Sequence, residues 1–319
     1  TYNSDTEDLL LFVGVPASTG FTTALKNIGK VNNKGLEFNL TSRNLSGELS
    51  WSTDFNYSTN KNEVIALGGE NEPIYSKGSA GVRHITRVGD PVGSYFGWVV
   101  EGVYQSQSEI DSAPTDKMAK APRPGDFRFK DINGDGIIDS DDRTITGNYN
   151  PDYIWGITNR FKYKNFDLSI FFQGVEGREI LNLTARHMKN GEANFNSYDV
   201  LNNRWISESQ PGDGKTPRAD RSTGTHGNNN RPSSYQVEDG SYSRLKNLTI
   251  GYTLPSSMSE KYAENIRLYF TAKNLATWTD YIGFNPEVSL QSQNMLTQGE
   301  DYGAYPLSVS LVFGLNVTF

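Results

Sequence analysis

Residues Tyr305 to Phe319 read YPLSVSLVFGLNVTF. The odd positions carry Tyr305, Leu307, Val309, Leu311, Phe313, Leu315, Val317 and Phe319, all bulky and apolar. The even positions are small or polar apart from Val312. A β-strand sends alternate side chains to opposite faces, so the pattern predicts a strand with one apolar wall and one wet wall. A tilted strand needs ~9–11 residues to cross hydrocarbon, and this stretch is long enough. The plainer reading is an edge strand of a soluble sandwich. The sharper one is the closing strand of an outer-membrane β-barrel.

Composition favours the sharper reading. Hydrophobic residues make up only 35% of the 319 residues, yet aromatics reach 12%, with 17 Tyr, 16 Phe and 5 Trp. A barrel has this mixture, because half of each strand faces water and aromatic girdles mark both interfaces. No apolar run approaches the ~18 residues of a transmembrane helix. The net charge of −7, without a basic stripe, argues against nucleic acid as a partner. Cysteine is absent, which excludes disulfides, thiol nucleophiles and thiolate metal sites. The three histidines (His84, His187 and His226) are far apart in sequence and give no support to a histidine-based centre.

Period-two alternation recurs along the chain. Gly35–Thr41 and Leu49–Tyr57 read as a hairpin around the turn Arg43–Glu48, after an apolar run at Leu9–Val15. Arg83–Val88 and Gly93–Tyr104 read as a second hairpin around Gly89-Asp90-Pro91. Tyr153–Tyr163 and Phe166–Gln173 flank a two-residue turn, and Tyr242–Leu254, Ile266–Ala272 and the terminal stretch complete about nine predicted strands. A helix is expected near Tyr198–Glu208, with Val200, Leu201, Trp205 and Ile206 as its apolar stripe. Short turns (43–48, 89–92, 164–165 and 254–264) alternate with long loops (61–81, 105–152, 177–240 and 276–304). Bacterial barrels have short periplasmic turns and long extracellular loops, so the loops are expected outside. An odd strand count does not suit a single-chain barrel, and an open sheet cannot sit in lipid. The chain 1–319 is therefore expected to be the C-terminal part of a larger barrel.

Several segments carry a resemblance: NIGKVNNKGLEFNL (Asn27–Leu40), VGDPVGSYFGWVVEGVY (Val88–Tyr104), GDFRFKDINGDGIIDSDDR (Gly125–Arg143), YSRLKNLTIGYTLP (Tyr242–Pro255) and RLYFTAKNLATWTDYIGFNPE (Arg267–Glu287). Together with the terminal strand they resemble the C-terminal half of SusC/RagA-type TonB-dependent transporters, in order and over nearly the whole chain. The resemblance implies a 22-stranded barrel in the outer membrane of a diderm bacterium, with the plug domain and N-terminal strands lying outside this chain. It also implies a SusD-like surface lipoprotein acting as a lid, TonB as the energy-coupling partner, and pairs of such complexes. Import of oligosaccharides or peptides, without enzymatic activity, is the function it implies.

One stretch carries metal-site spacing. In the loop 131–142, Asp131, Asn133 and Asp135 stand at positions 1, 3 and 5 of a calcium loop, with Gly136 at the sharp turn. Ile137 offers its backbone carbonyl, and Asp139 and Asp142 stand at positions 9 and 12. The spacing predicts a structural calcium ion that pins a long loop. The plainer alternative is a turn held by its own side-chain hydrogen bonds. For substrate, Tyr198, Arg204, Trp205 and Tyr235 are candidates to stack on sugars or hold a peptide, against the alternative that they pack their loop. Asp54, Asn56, Asp167 and Asn316 are expected to face a watery lumen. Two other functional classes remain open on the residues alone: a secreted calcium-binding β-sandwich that binds carbohydrate, and an outer-membrane barrel enzyme.

Overall fold

The computed structural model describes residues 1–14, 23–118, 121–189, 191, 196–219, 230–259, 263–290 and 294–319, with the side chains of 10–28, 69 and 259 set aside. The remainder of the expected 177–240 loop (190, 192–195 and 220–229) lies outside them. Eight long strands form one antiparallel sheet in chain order. They are β1 (Tyr2–Gly14), β2 (Thr23–Leu45), β3 (Leu49–Ala66), β4 (Tyr153–Tyr163), β5 (Phe166–Glu176), β6 (Tyr242–Thr253), β7 (Asn265–Trp278) and β8 (Ser310–Thr318).

The register aligns apolar residues in rows across the sheet. Phe55 lies between Leu40 and Ile157, and Phe161 lies between Trp51 and Leu168. Ile250 lies between Leu168 and Phe270, which in turn faces Phe313. This outer face is open: Phe38 is 48% exposed and Phe313 80%. A soluble monomer rarely shows a contiguous apolar patch beyond a few hundred Å². Aromatic pairs sit toward both ends of the rows, Trp51–Phe161 and Phe166–Tyr252 toward one and Tyr57–Tyr153 and Phe172–Trp278 toward the other.

Polar residues cover the opposite face. Asp54 accepts a hydrogen bond from Thr41 (2.7 Å) and pairs with Arg160. Arg267 forks onto Asp167 at 2.9 and 2.6 Å. That fork crosses β6 at Gly251, where a Cβ would meet both partners within 2.4 Å, so glycine keeps the crossing open.

Short connections lie at one edge of the sheet, with Leu45 and Leu49, Tyr163 and Phe166, and Thr253 and Asn265 close together. Thr318 ends at the same edge, opposite Asn265. The long connections 67–152, 177–241 and 279–309 leave from the other edge.

Three expectations are corrected. The 83–104 hairpin forms, with His84 opposite Tyr95, but it is not in the wall. Strands Gly81–Thr86 and Ser94–Gly97 belong to a separate four-stranded sheet with Ile74–Gly78 and Thr144–Gly147, and β3 pairs directly with β4. Alternation reports a half-buried strand but not what covers it. Here Ile85, Tyr95 and Phe96 are buried beneath the long connections, Tyr95 against Leu181 and Leu183. Among the described residues the wall therefore has eight strands rather than about nine, and β1 takes a place that the sequence reading left empty. The terminal strand pairs only from Ser310, because Pro306 cannot donate to a ladder and Asn274 turns β7 with φ of 54°. The expected 198–208 helix is a 3₁₀ turn at Asp199–Asn203, where paired asparagines compete for the backbone and Arg204 is extended.

The excursions fold together into a cap. Glu179–Asn182, from the second, pairs with Val237–Asp239 and, in parallel, with Glu300–Asp301 of the third. Trp98, Val103, Phe127, Phe129 and Ile138 form one buried cluster in the first. Among the described residues, no helix is long and apolar enough to cross a membrane.

Candidate functional site

The cap is tied to itself through one buried carboxylate. Glu300 is fully buried, and its Oε2 accepts hydrogen bonds from the amide (2.9 Å) and hydroxyl (2.7 Å) of Ser79. His84 Nε2 lies 3.0 Å from Oε1, and its Nδ1 lies 3.1 Å from the Gly93 carbonyl. A Cβ at Gly78 would stand 1.7 Å from this carboxylate, so the chain needs glycine there. Burial pushes the Glu300 carboxyl up, but its bonds from His84 and Ser79 outweigh that and hold it below the ordinary range. Nearby, Arg83 donates to Gln236, and burial lowers its guanidinium to about 10, with Arg186 adding repulsion. Tyr95 donates from its hydroxyl toward the carbonyls of Glu179 (3.0 Å) and Gly299 (3.2 Å), joining all three excursions.

The 131–142 loop is folded around its own backbone. Asp131 accepts from the amides of Gly134 (2.7 Å) and Gly136 (2.9 Å), Asn133 from Asp135 (2.9 Å), and Asp135 from Ile137 (2.8 Å). Asp139 accepts from Asp141 (2.9 Å), and the buried Asp142 accepts from Ile132 and Asp139, both at 2.8 Å. Gly134 and Gly136 have φ of 76° and 80°, the left-handed values that this tight turn requires. A carboxylate oxygen that accepts one amide keeps a second lone pair, so the donor set suits a hard cation. The placement is less complete: among the described residues, no group of three or more His, Asp or Glu side chains is arranged to hold a metal ion. The loop is anchored by Ile138 in the buried cluster and by Trp98 Nε1 donating to the Asp139 carbonyl (2.7 Å).

The substrate candidates separate. Trp205 and Tyr235 pack on the Trp98–Phe127 cluster, with the Tyr235 ring 4.7 Å from that of Phe127, and burial raises the Tyr235 phenol to about 12. Arg204 donates to the Leu201 carbonyl (2.9 Å) beside the 3₁₀ turn. Tyr198 is half-buried, and its amide donates to Met188. The structure brings Trp205 and Tyr235 together but not the four as a set.

Sequence reasoning missed a cavity of about 440 Å³, lined by polar groups and by apolar ones such as Trp155 and Phe171, where the wet face of the wall meets the cap. Gln173 of β5 and Tyr242 of β6 line it with Tyr149, Arg178 and Glu287 of the excursions. Glu287 Oε1 accepts from Gln173 (2.8 Å) and Tyr242 (2.7 Å), while Oε2 pairs with Arg244 and Lys246. Burial raises the Glu287 carboxyl, but the Tyr242 bond and the two cations carry it below its usual value. The only available signal was that Gln173 ends an alternating strand on its polar side.

No family model matches the chain. Two TonB-dependent receptors of Formosa agariphila are each 36% identical to it, over 329 and 327 residues. Each alignment covers all of this chain and 32% of the relative. The TonB-dependent receptor SusC of Bacteroides thetaiotaomicron is 26% identical over 330 residues, 29% of its length. The chain belongs to the SusC/RagA family of TonB-dependent receptors. It spans about a third of the length of the curated relatives it matches. The wall and cap of this SusC/RagA-family chain superpose on the structure of the RagAB peptide transporter with a TM-score of 0.78, at 21% identity, over 99% of this chain and 32% of that one. A RagAB importer in its closed-closed state gives 0.73. At that identity the likeness speaks to fold.

Proposed function

We propose that the chain forms part of the wall and outer cap of an outer-membrane importer driven through TonB. The observation that carries this reading is the eight-strand sheet, apolar on one face and polar on the other, with every described long excursion at one edge. In lipid each unpaired backbone group costs several kcal/mol, so the free edges of β1 and β8 need further strands to close a barrel. The short turns then face the periplasm and the cap faces outward. On this reading the loops 105–152 and 177–240 lie outside the cell, where a SusD-like lipoprotein would close over the cap. Cargo is an oligosaccharide or a peptide, and the chain is a transport element rather than an enzyme. A calcium ion in the 131–142 loop is part of the same proposal. Its support is the ligand spacing and the turn already formed, and its role is structural.

The test is accumulation of labelled oligosaccharide and peptide pools in cells with and without the full-length transporter. Cargo should be taken up only with the transporter present, and dissipating the inner-membrane proton gradient should stop it. Uptake that persists without a gradient would contradict energised import.

A further inference from the structure

Two arginines stand near Glu287 in very different circumstances, Arg244 bonded to its carboxylate and Arg178 in the lining of the cavity. Arg244 is 1% exposed and fully partnered: it pairs with Glu287, donates to Thr277 (2.8 Å) and reaches Asn285 (3.1 Å). Arg178 is 7% exposed and lines the cavity directly. It donates to the Pro286 carbonyl and, at 3.3 Å, to the Tyr149 hydroxyl. Its Nε is buried without a hydrogen-bond partner, and among the described residues no carboxylate pairs with it. The adjacent Glu179 bonds the Asn148 amide instead (2.8 Å). Tyrosine rings flank the guanidinium, Tyr149 at 4.9 Å and Tyr242 at 5.6 Å from their centroids. These rings orient a cation but do not neutralise it. Buried charges are ordinarily paired, and an unsatisfied buried donor calls for a cause.

We propose, resting on the import reading, that Arg178 is a binding residue for a carboxylate group on the cargo, held in this cavity between wall and cap. The site suits an anion for three reasons. Its one carboxylate, Glu287, is already matched by Arg244 and Lys246. Arg178 brings to the lining a fixed, planar cation that has no carboxylate partner among the described residues, the geometry that favours carboxylates. The cavity of about 440 Å³ has room for a residue-sized group. The carboxylate can come from an acidic sugar or from a peptide terminus, and the two are separable by experiment.

The full-length transporter, purified in detergent, would be titrated with D-glucuronate against D-glucose and with Ala-Ala against its C-terminal amide. The native protein should bind the acid of at least one pair about tenfold more tightly than the neutral partner, as expected for a charge-assisted hydrogen bond. The pair that discriminates identifies the source. Arg178→Gln should erase that preference, and Arg178→Lys, which keeps the charge, should retain part of it. No preference in the native protein, or an undiminished one in Arg178→Gln, would overturn the proposal. Outer-membrane fractionation and heat-modifiable migration of each variant report separately on the barrel. A barrel without acid preference sinks only the Arg178 site, whereas a protein absent from the outer membrane sinks the import reading itself.

Discussion

At the scale of single residues the cap depends on Glu300. Removing one partner of a buried, hydrogen-bonded charge typically costs ~3–5 kcal/mol, because the other is left uncompensated. Glu300→Gln should therefore lower the melting temperature of the purified transporter at neutral pH, followed by tryptophan fluorescence. An unchanged melt would show that the contact with Ser79 and His84 contributes little. The pH dependence has a definite sign. A carboxyl whose folded value lies below its ordinary 4.5 stabilises the fold fully above that value and loses its contribution as pH falls through the lowered one. The native protein should thus lose stability on acidification more steeply than Glu300→Gln, and the two curves should converge in acid. None of this was legible in sequence. His84 and Glu300 are more than two hundred residues apart, and neither VRHIT nor QGED signals a buried pair.

At the scale of elements, the 131–142 loop shows how far spacing can be read. The turn positions, Gly136 at its positive φ and the acidic oxygens were legible, because each is a local property of consecutive residues, whereas the positive φ of Gly134 was not singled out. Whether those oxygens meet at one point depends on the whole loop, and spacing alone does not fix it. If calcium binds, then at a hundred times its Kd it adds ~2.7 kcal/mol to the stability of whatever it holds. The full-length transporter should then show slower proteolysis near residues 119–130 with calcium than with EGTA. Asp131→Ala combined with Asp135→Ala should abolish the difference. Equal cleavage in calcium and EGTA would leave the plainer account, a turn held by its own Asx hydrogen bonds. The strands divide in the same way. Phe166–Gln173 and Gly35–Thr41 were legible because alternation and wall position coincide. The 83–104 hairpin was misplaced because the same alternation serves a strand buried inside a loop.

At the scale of the whole molecule, the arrangement is an amphipathic wall of strands with its long described connections on one side. The polarity of the two faces was readable from the terminal strand alone, since period two separates Leu311, Phe313 and Leu315 from Ser310, Gly314 and Asn316. The merging of three excursions into one cap was not, because it rests on long-range pairings such as Leu181 with Glu300. Sidedness is the central claim, and since this chain has no cysteine it is measurable once any cysteine elsewhere in the full-length transporter is replaced. Ser46 lies exposed in the turn between β2 and β3, and Ser209 lies exposed in the second excursion. Ser46→Cys and Ser209→Cys, introduced singly into the full-length transporter, would be treated on intact cells with a membrane-impermeant maleimide. The account predicts labelling of the 209 variant on intact cells, and of the 46 variant only after the outer membrane is opened. Labelling of the 46 variant on intact cells, or recovery of either protein in the soluble fraction, would contradict it.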